Sequence, residues 1–358
     1  MYLKQLEVPY IEQSRIAPQP VLIAVVGINF GARVARSLAA DIPAAQLAGL
    51  YDLDRVKTES LAKELGVRAY GNFDELLGDP KVEAVALFTG PSGRGRLVQR
   101  ILNAGKHVMT TKPFELDVAE AEQACETARR SGLALHMNSP APTPAGDMDA
   151  IRRWVAEEKL GRPICLQAMT WSNYHEQADG SWMDDPLRCP AAPLFRLGVY
   201  FLGEFAGLLG RPVKMSVQQS RIRTGRPTAD TAQMNLAYEN GALANIFSSF
   251  CVGDGRPWSD EVTIGYEHGR IHRWMERTGE LDMSRDRAVV ELHRPGKPKM
   301  RVETAAGDFT GWYNWNAFQA AVRDLPGSVR LDADSLVMSV RLLSALTRAS
   351  QSGAVESI

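Results

Sequence analysis

Along residues 21–138, apolar and polar positions alternate between two rhythms. Short apolar runs at 21–26, 46–52, 67–70, 83–89, 107–111 and 133–138 have the length and composition of buried strands. Between them, segments such as RVKTESLAKELG, GRLVQRILNAG and DVAEAEQACETARRSG place apolar residues at helical spacing and end in glycine, a frequent helix stop. Strict strand–helix alternation predicts a parallel sheet with helices on both faces. Six strands in this order match a doubly wound Rossmann sheet of the dinucleotide-binding kind.

The rhythm changes near Pro140. SPAPTPAG carries three prolines and reads as a linker. A helix is expected over 147–159, and then longer strands. TAQMNLAYENGALANIFSSF predicts a hairpin turning at Asn240-Gly241, and EVTIGYEHGRIHRW a second at His268-Gly269. Strands near 214–221 and 288–292 complete a sheet, and helices near 312–323 and 332–350 close the chain. The expected organisation is an N-terminal extension at 1–20, a Rossmann domain at 21–139, and an α+β domain at 140–358 with an open, mainly antiparallel sheet.

Two domains suit 358 residues. The 41 basic and 42 acidic residues leave a net charge of −1, without the basic footprint that nucleic acid or an anionic membrane requires. A small molecule is the expected partner. Cys125, Cys165, Cys189 and Cys251 show no C-x-x-C spacing and read as reduced thiols. Residues 1–20 lack the pattern of a signal peptide, and no apolar run approaches the ~20 residues of a membrane span. These features lead us to expect a cytoplasmic protein. The six histidines show no metal-ligand spacing, and no metal is expected.

The first strand runs into VVGINFGARVARSL. Against the G-x-G-x-x-G/A fingerprint, Gly27 takes the first position, Asn29 the second and Ala32 the third, with Gly31 adding slack between. Asparagine tolerates a left-handed backbone, so the turn survives; Ala32 is small enough for close helix–sheet packing, and the helix N-terminus is left facing a pyrophosphate. Asp52 ends the second strand 20 residues after Ala32, where an acid bonds the adenosine ribose. A carboxylate there repels a 2′-phosphate, which favours NAD over NADP, although Arg55 and Lys57 lie close by. The alternative is an ordinary glycine turn with a solvated Asp52.

The run EAVALFTGPSGRGRLVQRILNAGKHVMTTKPFELDVAEAEQA resembles the glucose-fructose oxidoreductase / inositol dehydrogenase (Gfo/Idh/MocA) family, through Ala104-Gly105-Lys106-His107-Val108 and Thr111-Lys112-Pro113, with threonine in place of the usual glutamate. The resemblance extends the cofactor set to Phe30, Thr89, Gly90, Pro91, Arg94, Thr111 and Lys112. It implies an NAD(P)-dependent oxidoreductase acting on a CH–OH group of a sugar, polyol or sugar acid, assembled as a homodimer or homotetramer through the C-terminal sheet. Two alternatives stay open: an NAD-dependent glycoside hydrolase and a non-catalytic dinucleotide-binding sensor.

The family's G-G-G-x-L-x-D-x-G-x-H-x-x-D helix corresponds here to AAPLFRLGVYFLGE. Gly198 is kept, Arg196 stands at the aspartate, Tyr200 at the histidine and Gly203 at the last aspartate. Lys112 is the expected donor to a developing alkoxide and Tyr200 the expected acid–base group. Tyr200 as a core residue is the other reading. Arg196 suits a bidentate carboxylate ligand, or a structural salt bridge to Glu204 or to an acid of the preceding loop. As a ligand it would favour an anionic substrate. In the loop 171–193, His175, Trp182, Asp184 and Asp185 are the candidate substrate contacts.

Overall fold

A computed structural model describes residues 17, 19–40, 42–277 and 285–358. The chain forms two compact units. The first holds the described residues up to Thr143 together with Tyr313–Asp334, and the second Pro144–Trp312 with Ser335–Ile358. The expected second domain therefore needs correction. Its segment Tyr313–Asp334 returns to the first unit, because the helix α7 (Trp315–Val322) has an apolar face. Trp315, Phe318 and Ala321 join the core of the first sheet.

In the first unit, β1 (Val21–Val26), β2 (Ala45–Tyr51), β3 (Arg68–Ala69), β4 (Ala84–Leu87), β5 (His107–Thr110) and β6 (Leu135–Met137) pair in the order β3-β2-β1-β4-β5-β6. All of these pairings are parallel. Helices follow at α1 (Gly31–Ala39), α2 (Arg55–Leu65), α3 (Phe73–Gly78), α4 (Arg94–Asn103) and α5 (Val118–Ser131). Sequence chemistry sets their ends. Asp117 caps α5 by accepting from the Ala119 N–H, and Gly132 stops it in the left-handed region. Asp54 and Asn72 cap α2 and α3 in the same way. The return segment is tied by polar contacts as well. Gln319 donates to the carbonyls of Ala17 and Gln19, and Arg323 forms an ion pair with Glu83.

The second unit begins with α6 (Gly146–Glu157), as expected within a residue or two. Its sheet runs β14-β13-β12-β11-β7-β10-β9-β8-β15. The two predicted hairpins are β9–β10 (Thr231–Tyr238, Leu243–Ser249) and β11–β12 (Ser259–Tyr266, Gly269–Glu276). Between the hairpins lies β7 (Pro163–Trp171), parallel to β10 and antiparallel to β11. The strands β8 (Pro212–Ser220) and β13 (Arg287–His293) match those expected, and β14 (Met300–Glu303) and β15 (Glu356–Ser357) extend the edges. A helical segment, Leu194–Leu209, packs on this sheet, and α8 (Ala333–Ser352) is the last helix. Beneath the sheet, the buried Arg273 bonds Asp147 of α6, which also accepts from the Thr310 N–H and hydroxyl.

Candidate functional site

In the first unit the chemistry gathers at the carboxyl ends of β1, β2, β4 and β5. Gly27 takes φ +84°, and a Cβ there would lie 2.8 Å from the backbone carbonyl of Phe88. Only glycine fits this turn, since it alone accepts such a φ without penalty and leaves room for the next strand. Gly31 opens α1, and a Cβ there would lie 3.0 Å from the Phe88 ring and 3.1 Å from Val25. The close helix–sheet approach expected of Ala32 therefore falls to Gly31. Ala32 is half-buried and packs at the margin of the core. Asn29 is exposed and its side-chain oxygen accepts from Lys57 Nζ at 3.2 Å.

The Asp52 carboxylate accepts from the Ile28 N–H at 2.7 Å and from the Asp54 N–H at 2.9 Å. The acid at the end of β2 is thus locked to the glycine turn after β1. At the start of α1 the N-cap residue, Phe30, makes no side-chain capping bond among the described residues. The first turn of α4, by contrast, is occupied by Glu115, which accepts from the Gly93, Gly95 and Leu116 N–H groups. Pro91 lies buried before that turn, beside Gly90, and its carbonyl accepts from the Arg94 N–H. The Thr89 hydroxyl is buried and finds no hydrogen-bond partner among the described residues. A tight glycine turn, an uncapped helix start, a fixed carboxylate and an orphan hydroxyl along one sheet edge fit a dinucleotide.

Arg94, expected among the cofactor contacts, is 1% exposed. Its guanidinium donates to the carbonyls of Thr89, Thr111, Pro113 and Phe114, and so staples the end of β4 to the segment after β5. Burial pulls its pKa down to about 10. A fully enclosed guanidinium serves the backbone rather than a ligand. The Lys112 N–H donates to Asn138 Oδ1 at 3.1 Å, and the same oxygen lies 3.3 Å from the Thr111 hydroxyl. Tyr313 donates its hydroxyl to Thr111 Oγ1 at 2.8 Å. Burial raises the Tyr313 phenol far above its ordinary range, so it stays a neutral donor.

In the second unit, Arg196 and Tyr200 lie on the Leu194–Leu209 segment. It is wound as wide π turns over Leu194–Gly198 and Phe201–Phe205 and tightens to a 3-10 turn at Ala206–Leu209. Wide turns of this kind are frequent at functional sites. Tyr200 is half-buried and its ring lies against Gly311, where a Cβ would meet it at 2.8 Å. Arg196 forks onto Glu176 with bonds of 2.6 and 2.7 Å, and its guanidinium lies 4.7 Å from the Phe250 ring centre. Glu176 belongs to the preceding loop, so this is the structural salt bridge named as one of the two alternatives.

Arg226, with 7% of its side chain exposed, bonds Glu176, Asp179 and Asp184. Burial alone would raise Glu176, but Arg196 and Arg226 outweigh it and hold the carboxyl below its usual range. The hydrogen bond to Asp179 leads the contacts that raise Arg226. The other oxygen of Asp184 accepts from the Asp179 and Gly180 N–H groups, and Asp185 accepts from the Leu187 N–H. Both carboxylates therefore shape their own loop. Trp182 packs edge-on against Phe195 at 6.1 Å, and His175 is exposed.

Sequence reasoning missed Asn138, Glu115, Tyr313, Glu176 and Arg226. Asn138 alone carried a local signal, as a polar residue at a strand's carboxyl end. Among the described residues no three His, Cys, Asp or Glu side chains converge as metal ligands do, and no helix is long and apolar enough to cross a membrane.

Comparison with known proteins agrees with this geometry. Residues 21–139 match the model described as oxidoreductase family, NAD-binding Rossmann fold, and residues 148–272 match the GFO/IDH/MocA C-terminal domain. The chain is 29% identical over 152 residues to scyllo-inositol 2-dehydrogenase (NAD(+)) of Bacillus subtilis, covering 42% of this chain and 44% of that one. It is 22% identical to D-apiose dehydrogenase of Paraburkholderia graminis, over 84% of this chain and 76% of the relative. The match to these and other curated relatives often spans only about half of their length. A solved aldose-aldose oxidoreductase from Caulobacter crescentus superposes with a TM-score of 0.73 at 21% identity, covering 95% of this chain and all of that one.

Proposed function

The chain belongs to the Gfo/Idh/MocA oxidoreductase family, and from that premise we propose that it is an NAD-dependent dehydrogenase or reductase acting on a CH–OH group of a sugar or polyol. The observation that carries the reading is the Asp52 carboxylate, fixed by the Ile28 N–H at the mouth of the Gly27 turn. A fixed negative charge at this point accepts ribose hydroxyls and repels a 2′-phosphate, which supports NAD over NADP. The named relatives that act on scyllo-inositol and D-apiose support the substrate class.

Gly27, the first turn of α1, Asp52 and Thr89 would hold the dinucleotide. When bound, its nicotinamide supplies the hydride-accepting carbon that no side chain can provide. Lys112, with its backbone fixed by Asn138, orients the substrate oxygen and stabilises negative charge developing there. Tyr200 is the proton-transfer group. Arg196 acts by positioning: it holds Glu176 and with it the loop after β7. The two guanidinium groups and three carboxylates of that cluster leave no surplus positive charge. An anionic substrate thereby loses the support it drew from Arg196, and a neutral sugar or polyol is the proposed class. Assembly is proposed as a homodimer or homotetramer through the C-terminal sheet.

The test is calorimetry with NAD and NADP, followed by a sugar and polyol screen that reads NADH and released aglycone together. NADH formation on a polyol or aldose supports the proposal. Aglycone release without net NADH replaces it with a glycoside hydrolase, and NAD binding without turnover of any class replaces it with a sensor.

A further inference from the structure

We propose that Tyr313, from the returning C-terminal segment, is part of the dinucleotide site and flanks the nicotinamide half, remote from Asp52. The proposal rests on the dinucleotide reading above. Three rings meet at the turn between β1 and α1. Phe30 stands edge-on to Phe88 with centroids 5.7 Å apart and tilted to Tyr313 at 6.4 Å. Tyr313 stands edge-on to Phe88 at 5.6 Å, and its hydroxyl is tied to Thr111.

Sheet order gives this cluster its meaning. Asp52 follows β2, on one side of β1, while Phe88 follows β4 and Thr111 follows β5, on the other side. A dinucleotide held by Asp52 at one ribose and by the α1 turn at its pyrophosphate extends its other half toward β4 and β5. There it meets the Thr89 hydroxyl, which has no partner among the described residues, and the Phe30–Tyr313 pair. Phe30 is 50% exposed, an aromatic surface that a planar ring can cover. The Tyr313–Thr111 hydrogen bond holds the second ring beside the segment that carries Lys112.

The experiment compares two probes that share the adenosine half. Full-length wild type, Tyr313→Leu and Tyr313→Phe are titrated calorimetrically with NADH and with ADP-ribose, which lacks nicotinamide. Losing an aromatic contact of about 1.4 kcal/mol corresponds to roughly tenfold weaker NADH binding in Tyr313→Leu. ADP-ribose affinity is expected to stay unchanged, and Tyr313→Phe to restore most of the NADH affinity. Equal weakening of both ligands marks a purely structural residue and overturns the proposal, as does unchanged NADH binding. Should Tyr313→Leu fail to fold, Phe30→Ala at its exposed position decides by the same split: selective NADH loss supports the aromatic flank, and equal or absent effects overturn it. A wild type that binds neither ligand brings down the dinucleotide reading itself, before any variant is made.

Discussion

At Gly27 one added methyl group would meet the Phe88 backbone, in a left-handed conformation that alanine resists. Gly27→Ala is expected to cost about 1–3 kcal/mol and to abolish NAD binding, which a thermal melt and a calorimetric titration read together. Asp52 acts through charge rather than shape. Asp52→Ala should bring the NAD and NADP dissociation constants together, and a wild type that prefers NADP would contradict the assignment. Lys112→Met removes the proposed donor to the substrate oxygen. Turnover should fall by roughly 10²–10³-fold with little change in NADH affinity, and steady-state kinetics beside NADH titration separates the two effects.

Among the elements, the loop after β7 depends most on one side chain. Arg226 compensates Glu176, Asp179 and Asp184 together. Arg226→Met leaves these acids without their common cation and should cost about 3 kcal/mol, toward the low end for a broken buried pair because Asp179 is half exposed. Urea unfolding measures this directly. None of it could be read from sequence, since Glu176 and Arg226 lie 50 residues apart and no periodicity links them. The parallel sheet was legible because burial on both faces writes a continuous apolar run into each strand. β7 was not, because it pairs with β10 and β11, far along the chain, and no hairpin turn joins it to a sequence neighbour. The fingerprint glycine was legible at Gly27. The close-packing position was assigned one residue late, to Ala32, because spacing alone does not show which small residue faces Phe88.

For the whole molecule, two histidines set an acid limit. Burial, aided for His107 by Arg330, lowers both His107 and His136 to about 4. The unfolded chain takes up these protons near pH 6.5 and the folded chain only near pH 4, so stability is intact above 6.5 and falls between those values. The slope is about 1.4 kcal/mol per pH unit for each histidine. Urea midpoints at pH 7 and pH 5 should differ in that sense, and equal midpoints would refute it. The open face of the second sheet carries Met169, 40% exposed, and Leu243, 60% exposed, on neighbouring strands. Light scattering should give a dimer or tetramer, and Leu243→Asp should shift it toward monomer.

The return of Tyr313–Asp334 to the first unit also bears on how the chain is made. A ribosome delivers the parallel strands long before Trp315 and Phe318, so the core those residues complete waits for the rest of the protein to be translated. A gene fragment cut at the linker would encode all six strands and still present an uncovered apolar face. The dinucleotide unit is continuous in space but not in the message, and excising or transplanting it requires both pieces.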